Sequence, residues 1–173
     1  MKKFILVFLV MMFVISSTIS PAAAAADGNA MAAVALFIDT SGRYIPGVDI
    51  LNKALNEVIR FKINVLLLGS EVQSGNEVLR DLNRYNISNV ADATSEGLAM
   101  YGKDRHVNYI VLVSVRPLDV AIDLKAYSTF DNAYVVDKSV TRPDGAETLS
   151  VLDTLSGMVG NEVSQVLQTI RGS

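Results

Sequence analysis

The sequence predicts an α/β (α+β) fold, a mixed β-sheet with helices packed on it, in the order β-α-β-α-(α)-β-β-β-α. Three observations carry this reading. Short unalternating apolar runs closed by turn residues mark strands buried on both faces. Between them lie segments whose apolar residues recur every three or four positions, the period of an amphipathic helix. Beyond about residue 120 the pattern changes to alternation, which means one wet face and hence antiparallel pairing.

Met31 to Ile38 is apolar throughout and stops at Asp39-Thr40-Ser41-Gly42, giving the first strand. After Pro46-Gly47, residues Val48, Leu51, Leu55, Val58 and Ile59 line one side of a helix reaching about Phe61. Lys53, Asn56, Glu57 and Arg60 fill its other side. Ile63 to Leu68 reads as a second strand stopped by Gly69-Ser70. Ser74-Gly75-Asn76-Glu77 has the form of a capping box, in which serine accepts from a free helix N–H and glutamate reaches back. It opens a helix carrying Val78, Leu79, Leu82 and Tyr85. Thr94 to Lys103 follows as a third helix, with Gly97 its weak point.

Tyr109 to Val115 is the most strongly marked strand of the chain. From Val120 to Phe130 the chain alternates, with Ile122, Leu124, Ala126 and Phe130 on one face and Asp123, Lys125, Tyr127 and Thr129 on the other. Asp131-Asn132 suits a two-residue hairpin turn, because both residues tolerate positive φ. Ala133 to Thr141 is then the partner strand, and Arg142-Pro143-Asp144-Gly145 a turn. Thr148 to Ile170 is a long helix with Leu152, Leu155, Val159, Val163, Val166 and Ile170 along one stripe. Its internal Gly157 and Gly160 each cost about 1 kcal/mol relative to alanine. They either permit close approach to a neighbour or divide the helix.

Residues 1–26 have the form of a cleaved export signal. Lys2 and Lys3 precede an unbroken apolar run from Phe4 to Ile15, Pro21 breaks it, and Ala22 to Ala26 supply small residues for cleavage before Asp27. The run falls short of the roughly 20 residues that span a bilayer. Residues 27–173 are then a single exported domain, periplasmic or secreted, with no stable membrane anchor after cleavage. The chain has 15 Lys and Arg against 18 Asp and Glu, and two of those lysines sit in the leader. An acidic domain without a basic run is unsuited to nucleic acid, which is bound by displacing counterions with Lys and Arg. Cysteine is absent, which excludes disulfides, thiol catalysis, thiolate metal sites and the lipid-bearing cysteine of a lipoprotein.

Several segments carry a family resemblance. Arg60-Phe61-Lys62-Ile63-Asn64-Val65 is a basic-aromatic lead into a strand, and His106 to Val115 brings a helix end into a tyrosine-led apolar strand. Asp123-Leu124-Lys125-Ala126-Tyr127 and the return strand Ala133 to Asp137 complete the pattern. In this order the chain resembles, from about Ala32 to Ile170, a periplasmic domain shared by three groups. These are the curli-secretion (CsgG-like) lipoproteins, the penicillin-binding-protein activator lipoproteins and the N-terminal domain of TolB. It departs from them in lacking the lipid-bearing cysteine, in Asn108 where aspartate is common, and in Val113-Ser114 where glycine-serine is usual. Neither membrane anchoring nor pore formation therefore carries over. The resemblance implies a non-catalytic module, without cofactor, that recognises other envelope proteins or assembles with itself.

Each chemistry-bearing cluster of residues also has a plainer structural role. Asp39-Thr40-Ser41-Gly42-Arg43 follows a strand where von Willebrand factor A domains carry Asp-x-Ser-x-Ser, whose oxygens hold a hard divalent cation. Asp39 and Ser41 match, giving an alternative reading as a metal-dependent adhesion module. Arg43 stands in the second serine's place, and a turn closed by a side-chain cap is the expectation. An aspartic-protease reading of the same stretch fails because Gly42 comes one place late. Gly69 to Gly75 lacks the spacing of a phosphate-binding loop. His106 is the only histidine and has no serine or carboxylate at a diagnostic spacing. Asp81, Arg84, Asp104 and Arg105 read as ion pairs on a solvated helix face. Arg43, Tyr44 and Ile45 have the residue types of an interface anchor, unless Ile45 tucks beneath the helix. Tyr127 and Tyr134 form a second candidate patch on the hairpin. No residue is assigned a catalytic role.

Overall fold

Five strands, β1 (Ala30–Ile38), β2 (Val72–Ser74), β3 (Val107–Arg116), β4 (Ala121–Ser128) and β5 (Ala133–Thr141), form one sheet in the order β2-β1-β3-β4-β5. The computed structural model describes residues 30–67, 71–142 and 150–172. The expected leader, the Gly69-Ser70 stop and the turn after Arg142 therefore lie outside the described residues. β1 pairs in parallel with β2 and β3, whereas β3–β4 and β4–β5 are antiparallel. The mixed sheet and its order of elements are those expected from the alternation of runs and periods.

β1 and β3 are apolar on both faces, so each face needs a helical cover. α1 (Val48–Leu66) and α4 (Val151–Arg171) supply one, burying Leu55, Ile59, Leu155, Val159 and Val163 on Val34, Val111, Val113 and Leu124. α2 (Asn76–Asn83) and α3 (Ser95–Arg105) supply the other, setting Val78, Leu82, Leu98 and Tyr101 on Ala33, Ala35, Ile110 and Leu112. The alternation of core side chains along β1, one to each cluster, follows from the two-residue period of a strand.

Two expectations are corrected around α1. Ile63 to Leu66 does not begin a strand but continues the helix, because Ile63 falls four residues after Ile59 and extends the buried stripe of Leu51, Leu55 and Ile59. Asn64 and Val65 face outward, as a helical period requires. The second strand is instead the short Val72–Ser74, lying against Ala32 to Val34. Ser74 is thus part of β2 and caps nothing; Gly75 occupies the N-cap of α2 without a side-chain hydrogen bond. At α3 the expected start is present, with the Thr94 hydroxyl accepting from the Gly97 N–H at 3.1 Å.

The β4–β5 turn is also longer than expected. Residues 129–132 form it, with Ser128 Oγ donating to Asp131 Oδ2 at 2.8 Å, and only Asn132 takes the left-handed conformation. Thr129 explains the extension. Its N–H donates to the Asn108 carbonyl at 2.9 Å, so the chain follows β3 for one residue past β4 before turning.

The glycines of α4 differ in use. A Cβ on Gly160 would lie 3.1 Å from Val58 Cγ1, so this glycine allows α1 and α4 to approach closely, whereas Gly157 faces open space. The helix is continuous through both. The two helices run parallel: Val58 lies by Gly160, and Arg171 Nη1 donates to the Leu66 carbonyl at 2.6 Å.

The tightest contact is at Gly102, where a Cβ would come within 2.3 Å of Thr129 Cγ2. Gly102→Ala is expected to lower stability by about 1–2 kcal/mol, because the crowding outweighs the ~1 kcal/mol of helix propensity that alanine restores. Thr129→Ser removes the offending methyl while keeping the hydroxyl that donates to the Val107 and Asn108 carbonyls. Urea denaturation of the double variant should therefore recover most of the loss; simple additivity of the two substitutions would contradict the packing account.

Candidate functional site

A cleft of about 820 Å³ opens at the carboxyl ends of β1 and β3. Topology puts it there. The connection leaving β1 runs over one face to β2, while the chain leaving β3 turns the other way into β4. Between strands whose connections diverge, the sheet leaves a crevice where α/β folds commonly hold ligands.

One wall is the β1–α1 loop. Thr40 to Arg43 forms a tight turn, with the Arg43 N–H donating to the Thr40 carbonyl at 3.0 Å and both Ser41 and Gly42 at positive φ. Asp39 closes it, its Oδ1 accepting from the Ser41 N–H at 2.7 Å. The Asp39 N–H donates to the Val115 carbonyl at 2.8 Å, which ties the loop to β3. The opposite wall is the α2–α3 connection. There Asp92 accepts from Ser88 Oγ and Asn89 Nδ2, each at 2.6 Å, and its own N–H donates to Asn89 Oδ1.

The floor is a row across the sheet, Phe37, Ser114, Asp123 and Ser139, in register on neighbouring strands. Ser114 is 7 % exposed. Arg116 grips Asp123 through two nitrogens, Nε to Oδ2 at 2.9 Å and Nη2 to Oδ1 at 3.3 Å, and reaches Asp119 through Nη1 at 2.9 Å. Burial works to raise the Asp123 pKa, but the Ser139 hydroxyl and the Arg116 guanidinium outweigh it and hold the carboxyl below its ordinary value. Lys125, one row further along, lies 3.5 Å from Asp137.

The cleft thus collects hydroxyls, amides and paired charges. Its serines stand far from the only histidine. His106 precedes β3 and Ser114 lies near that strand's other end, about 26 Å apart along an extended chain. Among the described residues no three His, Asp or Glu side chains gather in a way that could hold a metal ion.

Of the residues singled out from the sequence, Asp39 and Ser41 line the cleft and are bound to each other as a capped turn. Arg43 and Tyr44 are exposed, Tyr44 to 88 %, while Ile45 is half-buried. Tyr127 and Tyr134 do not form the exposed patch expected of them. Tyr127 is fully buried, its hydroxyl donating to the Ser95 carbonyl at 3.1 Å and bonding the Asn132 side chain. Tyr134 is half-buried, donates to the Ala93 carbonyl at 2.9 Å and meets Tyr127 edge-on. The amino-terminal end of α3 covers this face of the hairpin.

Asp81 is corrected likewise. It is 6 % exposed and sits between Arg84, at 3.1 Å, and Arg105, so it joins α2 to α3 instead of coating a wet face. Sequence reasoning missed Ser114, Asp123, Lys125 and Ser139 as a group, since they meet only through strand register.

No protein-family model matches this chain, and no curated protein matches it at a significant level.

The lowered Asp123 pKa fixes the sign of a pH effect. Its ion pair contributes stability that is complete above the ordinary carboxylate range and is lost as pH falls through the lower folded value. Asp123→Asn is therefore expected to cost roughly 1–2 kcal/mol at pH 7. It should also flatten the decline in stability below about pH 4, as followed by urea denaturation across that range. A variant with an unchanged decline would show that Asp123 is not the titrating group.

Proposed function

We propose that this chain is an exported, non-catalytic protein-binding or self-assembling module of the bacterial cell envelope. The observation that carries the reading is β5, a nine-residue strand at the end of the sheet with no neighbouring strand on its outer side among the described residues. Such an edge presents unpaired N–H and C=O groups and is a template for another chain. Two apolar side chains on the same hairpin are exposed: Phe130, 71 % exposed at the turn, and Val135, 43 % exposed on β5.

The export-signal pattern before Asp27 supports a place in the envelope or beyond it, and the resemblance to envelope domains points the same way. The residues of the cleft are consistent with a module that does no chemistry, because its carboxylates are engaged in hydrogen bonds or ion pairs and Ser114 on its floor lies far from the only histidine. A metal-dependent adhesion role at Asp39 and Ser41 is disfavoured by Arg43, which puts a positive charge where a second oxygen ligand would be needed.

The reading is tested by installing a photo-crosslinking residue, one position at a time, at Tyr44, Glu57, Phe130 and Ser139 in the cells that make the protein. A processed chain in the envelope fraction, giving a discrete adduct with an identified envelope protein or with itself from at least one position, is the expected result. A cytosolic chain that keeps its leader, or an absence of discrete adducts from all four positions, would overturn it. Titration calorimetry with Mg²⁺ and Ca²⁺ addresses the adhesion alternative; no heat that depends on Asp39 is expected.

A further inference from the structure

The edge strand also carries information about what pairs with it. From Val136 to Thr141, past the irregularity at Val135, the strand is in regular register with β4. Its side chains fall into two unlike rows. Val136 and Val140 point to the α4 side and pack on the core there, with Lys138 between them reaching Glu162 and, at 3.3 Å, Gln165 Oε1. Asp137, Ser139 and Thr141 point to the cleft side and are exposed.

A second copy fits this edge badly. A two-fold axis makes the two β5 strands antiparallel and sets same-face residues opposite each other. Centring the pair on Lys138 puts Lys138 against its own copy, and centring it on Asp137 puts the two aspartates face to face. Like charges directly opposite destabilise an antiparallel pair. Centring on Ser139 sets each Lys138 against Val140 on the half-buried face. A lysine on the inward side of an edge strand is a known guard against edge-to-edge association.

The same two rows suit a different strand. Its residues opposite Val136 and Val140 would be apolar, extending the row that α4 already flanks. Its alternate residues would face Asp137, whose ion-pair partner among the described residues, Lys125, lies on the inner side, at 3.5 Å on β4. A Lys or Arg there meets a carboxylate that is open on its outer side.

We propose that the Val136–Thr141 edge is completed by an extended segment of another protein, added as a sixth strand, that is apolar opposite Val136 and Val140, acidic opposite Lys138 and basic on the row that faces Asp137. This deepens the protein-binding reading above and rests on it; it chooses a foreign partner over self-assembly. Main-chain hydrogen bonds would supply affinity and the two rows specificity, as in other strand-addition complexes.

The test uses the mature chain, residues 27–173, and the synthetic seven-residue peptide Lys-Val-Lys-Glu-Lys-Val-Lys, whose central glutamate faces Lys138. Its controls are the same peptide with glutamate for lysine, and the lysine peptide N-methylated on alternate amides. Binding is read by fluorescence anisotropy and located by amide hydrogen exchange. The lysine peptide should bind at least tenfold more tightly than either control and slow exchange in residues 136–141. Asp137→Asn should reduce the preference for lysine over glutamate, and Asp137→Lys should reverse it.

Equal binding of the lysine and glutamate peptides, or binding without protection at 136–141, would overturn the proposal. So would protection of 136–141 that rises with protein concentration alone, the mark of a second copy, or failure of every peptide to bind. Crosslinks to an envelope protein at other positions, alongside any of these failures, would leave the broader reading standing and remove only this edge.

Discussion

β1 and β3 have no wet face, and this one constraint organises the rest of the molecule. Two adjacent parallel strands that are mainly apolar on both faces are stable only between two helical layers. The chain meets the requirement by sending α1 and α4 to one side and α2 and α3 to the other. Because the covers come from connections that diverge at β1 and β3, a crevice at their carboxyl ends is unavoidable. Because the covers are centred on these strands, β5 is left at the margin with one row half-sheltered and one row in water. The cleft and the marginal place of β5 are both consequences of where the apolar residues of two strands fall.

Much of this architecture was legible in the sequence, and the exceptions share a cause. The alternation of Ile122 to Phe130 announces two faces of a strand, but it cannot say which face is covered. Tyr127 belongs to the polar-looking row and is nonetheless fully buried, since α3 crosses above it and the Ser95 carbonyl meets its hydroxyl. Ile63 satisfies both a strand-like run and the helical stripe begun at Leu51, and tertiary packing decides for the helix. Asp81 looks like an ordinary surface carboxylate until Arg105, 24 positions away, closes on it. Local pattern describes each segment well; what a segment is laid against is a long-range fact.

The candidate site is legible to a still smaller degree. Asp39 and Ser41 could be singled out, because the turn they close is local and written in four consecutive residues. The floor could not, because Phe37, Ser114, Asp123 and Ser139 belong to four different strands and share only a register. Arg116 is the most informative residue in retrospect. Standing at the end of β3, it fastens Asp119, Asp123 and Ser139 at once, so the antiparallel half of the sheet is cross-braced where it borders the cleft. A rigid mouth of this kind holds its polar groups at fixed spacings before any ligand or partner arrives.

The bond from Arg171 to the Leu66 carbonyl joins positions 105 residues apart, and α4 as a whole roofs strands made long before it. Until α4 emerges from the ribosome, α1 is the only helix available to this face, and Val111, Val113 and Leu124 are incompletely covered. Nascent chains of every shorter length therefore remain incompletely packed and keep greasy surface available to chaperones. Such a chain reaches its finished state late, and with a slowness typical of topologies rich in distant contacts.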